Sequence, residues 1–129
     1  MILTTVASRS SRALLWLATC LLLGVLPALA AEAVHPPEAT LRYHFRPIFT
    51  FRTTFVGASP EYRVRRAWER IDSLPSGRMT EAIEQTPFIV GTTHGVGLHI
   101  GEFQLFNIVE GDLDPEEKVS LEEAAQRAA

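Results

Sequence analysis

Cysteine is all but absent from this 129-residue chain: its one representative, Cys20, lies among the first thirty residues. Removal of those residues would leave a domain without disulfides, thiol nucleophiles or cysteine-ligated metals, held together by its core alone. A second apolar run long enough to cross a bilayer is also missing, so the processed product is expected to be soluble. No serine stands in a Gly-x-Ser-x-Gly turn; Ser59, Ser73, Ser76 and Ser120 fall at caps, turns or helix positions. The glycine-rich stretch from Gly91 to Gly101 has neither the Lys-Ser/Thr ending of a phosphate loop nor a helix after it. With no positioned acid–base pair, the chain reads as a non-enzyme, and no catalytic, cofactor-binding or metal residues are assigned.

What is present begins with residues 1–30. Arg9 and Arg12 precede the apolar run from Ala13 to Leu26, which ends in Pro27-Ala28-Leu29-Ala30. A positive start, an apolar middle and small residues at an Ala-x-Ala site are the layout of a secretory signal cleaved after Ala30. A retained anchor is the alternative, since the run of about 18 residues lies at the lower edge of what spans a bilayer. Helix-breaking Pro27 favours cleavage. Leu17-Ala18-Thr19-Cys20 has the outline of a lipoprotein site, but Thr19 replaces the expected small residue and mostly apolar residues follow the cysteine. The reading is therefore an exported protein: a signal over 1–30, an extended leader over 31–40 containing Pro36-Pro37, and one domain over 41–129.

Without Arg9 and Arg12, ten basic residues face fifteen acidic ones, a formal net charge of −5. The two signs are segregated. From Arg42 to Arg78 there are eight arginines against Glu61, Glu69 and Asp72, whereas ten acids follow from Glu81 against Lys118 and Arg127. The export signal disfavours nucleic acid as a partner. Neutralisation of the arginines by the acidic half within the fold is the preferred reading, with a basic face toward anionic headgroups as the alternative.

Between Leu41 and Val56, Phe45, Phe49, Phe51 and Phe55 occupy odd positions, and His44, Arg46, Thr50, Arg52 and Thr54 occupy even ones. That period of two predicts a strand with the phenylalanines on one face, its leading part set off by Pro47 as an edge or a separate short strand. Ser59-Pro60-Glu61 then predicts a helix start, with a hydroxyl cap, proline in the first turn and an acid at the positive end. Val64, Ala67, Trp68, Ile71 and Leu74 form its apolar stripe, Arg63, Arg65, Arg66, Glu69, Arg70 and Asp72 cover the rest, and Pro75-Ser-Gly77 ends it. A strand is expected over Ala82 to Val90, a turn over Gly91 to Gly95, and a hairpin from Val96–Ile100 and Phe103–Val109 around Gly101-Glu102, with Gly101 at positive φ. Asp114 and Pro115 are expected to start a second helix. The predicted fold is a small α+β domain of order β-α-β-β-β-α, a mainly antiparallel sheet covered by two helices, with Trp68 and the phenylalanines dominating its core.

One constellation invites a chemical reading: His94, Gly95, Gly97, His99 and Glu102. Two imidazoles and a carboxylate could hold zinc, but His-x4-His fits no strong metal spacing, and surface or turn histidines are the commoner outcome. The acids Glu110, Asp112, Asp114, Glu116 and Glu117 lead toward the expected helix and suit its dipole; they lack the twelve-residue loop of a calcium site.

Ile48-Phe-Thr-Phe51, a short gap and Ser59-Pro-Glu-Tyr-Arg63-Val-Arg-Arg66 resemble the start of the small periplasmic domain preceding some bacterial small-conductance mechanosensitive channels. Ile100-Gly-Glu-Phe103, Leu105-Phe-Asn-Ile-Val109 and Leu121-Glu-Glu-Ala-Ala125 match that module in order, although Tyr62 stands where the family has a second acid. The resemblance implies a periplasmic, non-enzymatic module without cofactors that acts by protein contacts and has no catalytic residues to carry over. The implied partner is a membrane channel or a pore-forming portion absent from these 129 residues, membrane contact being indirect and oligomerisation open. The alternative is a stand-alone periplasmic ligand-binding or interaction domain.

Overall fold

The computed structural model describes residues 37–129. The signal expected over 1–30 and most of the leader expected over 31–40 lie outside them. The described residues belong to one compact unit. Within it are β1 (Ala39–Tyr43), β2 (Arg46–Phe51), α1 (Pro60–Asp72), β3 (Glu84–Val90), β4 (Thr93–Ile100), β5 (Phe103–Val109) and α2 (Leu121–Ala128), with single 3₁₀ turns at Ser76–Arg78 and Glu110–Asp112. The class is α+β, as expected. No helix of the described residues is long and apolar enough to cross a membrane.

The run from Leu41 to Val56 holds a separate leading strand, as one of the two expectations had it, but the break falls at His44-Phe45 and not at Pro47. Between Tyr43 and Arg46 the chain reverses through His44 and Phe45, both with positive φ (45° and 66°), and β1 pairs antiparallel with β2. Two positive-φ residues in a two-residue loop make a type I′ turn, whose twist matches that of the strands it joins. The reversal takes Phe45 out of the alternating series and leaves it 97% exposed, while Phe51 is wholly buried. β1 and β2 form a separate two-stranded sheet, and β3, β4 and β5 form an antiparallel sheet in that order. The observed sequence of elements is therefore β-β-α-β-β-β-α.

Ser59 caps α1 by accepting from the Tyr62 backbone N–H at 3.3 Å, with Pro60 in the first turn, as predicted. The predicted apolar stripe holds at Val64, Ala67, Ile71 and Leu74 and fails at Trp68, while Arg63, expected on the solvated face, is buried. The buried residues of α1 are Pro60, Arg63 and Ala67, with Val64 and Ile71 partly buried against the core. Trp68, a hundred degrees of helical rotation beyond Ala67, falls at the rim and is 47% exposed. The core is built instead from Leu41, Phe51, Val96, Leu98, Phe106 and Ile108. Its aromatic centre is Phe49, Phe51 and Phe106, with ring centroids 5.3–6.3 Å apart.

The β4–β5 hairpin turns at Gly101 (φ 54°), as predicted. The β3–β4 turn is shorter than the predicted Gly91–Gly95: Val90 pairs with Thr93, and Gly91 alone has positive φ (62°). β4 therefore begins at Thr93. Phe88 sits opposite Gly95, and a Cβ there would come within 2.3 Å of the Phe88 ring, so the ring lies flat on bare backbone. Asp114 and Pro115 do not start α2. Ser120 does, accepting from the Glu123 backbone N–H at 3.1 Å, while Asp114 bends the preceding loop by accepting from the Glu116 backbone N–H at 2.9 Å. The spacing Ser120-x-x-Glu123 is itself a helix-start pattern, and it prevails over Asp-Pro because α2 must present Ala124, Ala125 and Ala128 to the core.

The outer edge of β5 is closed by side chains. Arg63 donates to the Asn107 carbonyl at 3.0 Å and Arg70 to the Leu105 carbonyl at 3.4 Å. The other edge strand, β3, carries Pro87, which cannot donate to a further strand.

Phe51→Ala should lower stability by about 3–5 kcal/mol, whereas Trp68→Ala should lose less than half as much. Urea midpoints of the two variants provide the comparison. A second I′ turn, Phe55–Ala58, holds Val56 at φ 48° with Gly57 at 75°. A β-branched residue is poorly suited to that conformation. Val56→Asn should therefore raise the unfolding free energy by about 1 kcal/mol without changing the urea m-value.

Candidate functional site

Four elements converge on a buried ion pair. Arg63, one turn into α1, meets Asp112, which closes the 3₁₀ turn after β5. The contact is a two-pronged fork, Nη1 to Oδ1 at 2.8 Å and Nη2 to Oδ2 at 2.7 Å. The side chains are 8% and 0% exposed. Burial of two charges is unfavourable unless the remaining hydrogen-bonding positions are filled. Here they are filled. Asp112 Oδ1 also accepts from the backbone N–H groups of Arg52 (3.1 Å) and Thr53 (3.2 Å), and Oδ2 accepts from that of Val109 (3.1 Å). Arg63 donates further to the Thr53 and Asn107 carbonyls, at 2.7 and 3.0 Å. The guanidinium also lies over the Phe51 ring at 4.5 Å and the Phe55 ring at 5.7 Å. Every lone pair that a substrate or proton donor would use on Asp112 is engaged by the fold. Chemically the pair is a rivet.

Arg63 and Asp112 are 49 residues apart, and the sequence reading placed the first on the solvated face of α1 and the second among dipole-serving acids. Arg63 did carry a signal, because it is four residues before Ala67 and three after Pro60, on the same helical face. Asp112 carried none. Just outside the rivet, Arg52 donates to Asp114 at 2.9 Å and also pairs with Glu38. These contacts bear out neutralisation across the two halves of the sequence for Arg52 and Arg63. Arg66 and Arg78 pair locally with Glu69 and Glu81. Arg42, Arg46, Arg65 and Arg70 have no carboxylate partner among the described residues.

The residues weighed for zinc are not brought together. His94 lies in β4, not in a turn, opposite Ile89, and His99 lies opposite Glu84. Five positions apart on one strand, the two imidazoles leave opposite faces of the sheet. Glu102 is at the exposed β4–β5 turn. Gly95 serves the Phe88 ring, and a Cβ at Gly97 would press on the Asn107 carboxamide at 3.2 Å. Among the described residues, no three His, Cys, Asp or Glu side chains are grouped to hold a metal.

Beside the rivet, Tyr62, Arg66, Arg70, Phe106 and Asn107 line a cleft of about 160 Å³. That is below the roughly 300 Å³ at which ligand pockets usually start, whereas open clefts of about 610 Å³ beside Arg52, Leu113 and Pro115 and about 480 Å³ beside Phe88, His94 and Leu121 exceed it. The chain's remaining surface features are apolar side chains at turns: Phe45, Val56 and, at the end of β3, Ile89 and Val90. In comparison with known proteins, no family model, curated protein or solved structure matches the chain.

Asp112→Asn should lower stability by about 3–5 kcal/mol, since it strands a buried guanidinium. The double replacement Arg63→Met with Asp112→Leu should be less damaging than the two single changes summed. A double-mutant cycle in urea measures the coupling, and a value near zero would refute the rivet.

Proposed function

We propose that the chain is an exported, non-enzymatic module that works through protein contacts, in the manner of the periplasmic leader domain of a small-conductance mechanosensitive channel. The observation carrying this reading is where the exposed apolar side chains stand. The Phe55 ring meets the Phe88 ring at 5.9 Å, which joins the turn containing Val56 to β3. Val90 follows Phe88 by two positions and so leaves the same face of that strand. Val56 is 75% exposed despite its unfavourable φ. Folding gains little burial from Val56 and only part of what Val90 could give, and a contact surface accounts for their placement.

The consumed hydrogen-bonding capacity of Arg63 and Asp112 supports a structural rather than chemical role for the most elaborate polar cluster. The partner in this reading is a membrane channel or a pore-forming portion outside these residues. The rival, a stand-alone ligand-binding domain, would use one of the clefts, of which those beside Arg52 and Pro115 and beside Phe88 and Leu121 are roomier than the one at Tyr62 and Arg70.

Photocrosslinking in living cells from position 90, with position 102 as the comparison, should give an adduct with an envelope membrane protein from position 90 alone. Fractionation and N-terminal sequencing should find an exported form beginning at Ala31. Retention in the cytoplasm, no adduct, or equal adducts from both positions would sink the reading.

A further inference from the structure

The tip of the β1–β2 hairpin combines three features that packing does not explain. Phe45 stands at its apex, 97% exposed. It holds φ 66°, a conformation that bulky side chains seldom adopt, beside His44 at 45°. Arg42 and Arg46 flank it, both exposed and both without a carboxylate partner among the described residues. Arg46 is paired across the turn with Tyr43, and Arg42 is paired with Pro47 one step below, so the two arginines leave opposite faces of the hairpin. The result is one aromatic point between two cations.

We infer that this tip docks on an anionic phospholipid surface, with Phe45 entering the headgroup boundary and Arg42 and Arg46 engaging lipid phosphates. The inference rests on the export proposed above, and it adds a direct lipid contact to a reading that had the membrane reached only through a partner. The shape favours lipid. A protein partner must offer a pocket for a projecting ring, whereas a bilayer interface accepts one anywhere along its plane. The charge also favours lipid, although the chain as a whole is acidic. From Arg46 to Arg52 is about 20 Å of strand at roughly 3.3 Å per residue. The acids Glu38, Asp112 and Asp114 gather at the Arg52 end, paired with Arg52 and Arg63. Glu38 is about 13 Å of chain from Arg42, so these separations all exceed the Debye length of about 10 Å in 0.1 M salt, and the field of the acids is reduced at the tip.

The test uses the form beginning at Ala31, because every core residue among the described residues lies between Leu41 and Ala128. Its cooperative melting is checked first. It should sediment with phosphatidylglycerol-containing vesicles, bind pure phosphatidylcholine vesicles much less, and release as salt is raised. Phe45→Ala should weaken partitioning by about tenfold or more. Arg42→Gln and Arg46→Gln should each weaken it by about fivefold. Arg65→Gln, which removes an exposed charge from α1, should leave it unchanged. Phe45→Gly separates binding from folding: it should melt no lower than the parent yet lose vesicle binding.

Equal binding to both vesicle types, undiminished binding by Phe45→Ala, or an Arg65→Gln loss matching that of Arg42→Gln would overturn the inference. So would a parent that ignores vesicles while position 45 crosslinks to a protein. Vesicle binding reads the tip alone, so its failure leaves the export and contact assays of the module to stand or fall separately.

Discussion

The geometry of the whole domain is referred to one buried contact, the fork between Arg63 and Asp112. Around it meet the end of β2, the first turns of α1, the end of β5 and the turn that follows. A domain of this size with no disulfide in its described part has a modest core. Hydrophobic burial is non-directional; it can bring these four elements together but does not choose their register. The fork does choose, because a planar guanidinium and a planar carboxylate meet productively in few orientations. It fixes the rotation of α1, and from that rotation follow the burial of Ala67, the exposure of Trp68 and the reach of Arg70 to the edge of β5.

How much of this was legible in the sequence depends on the range of the interaction. The α1 cap at Ser59, the turn at Gly101 and the strands flanking it were all legible, because each is decided within a few residues. The α2 start at Ser120 was legible in principle, in Ser120-x-x-Glu123, but was outweighed by Asp114-Pro115. The face of α1 was legible at Val64, Ala67, Ile71 and Leu74, but the partner that buries Arg63 was not. An arginine beside such a stripe is indistinguishable from a solvated one until a carboxylate 49 residues away is known to be waiting. Phe45 misled for a related reason: period-two alternation cannot register a two-residue turn that preserves the count. As for the candidate site, the histidines were correctly visible as the most chemical-looking residues. Strand parity, which appears only once β4 is seen to begin at Thr93, then divides them between two faces.

The four tight turns divide into two groups. At Gly91 and Gly101 the residue matches the backbone. At His44-Phe45 and at Val56 it does not. A chain under selection for stability alone finds asparagine and glycine at such places with single changes. That the mismatched turns also carry the most exposed apolar side chains, Phe45 and Val56, connects the backbone strain with the surface. Both observations point toward use of the same two loops for contact.

The two edges of the three-stranded sheet are unequal, and the inequality limits what kind of assembly the sheet can enter. β5 spends its outward carbonyls at Leu105 and Asn107 on the arginines of α1, so a further strand finds no acceptors there. On the three-stranded sheet only β3 remains open, and there Pro87 withholds one donor. Growth of a sheet through successive copies needs two compatible edges on every copy, one to receive and one to offer. With a single open edge, β3 can meet only another β3 across a two-fold axis, and that meeting uses up both. Edge pairing through the three-stranded sheet stops at two.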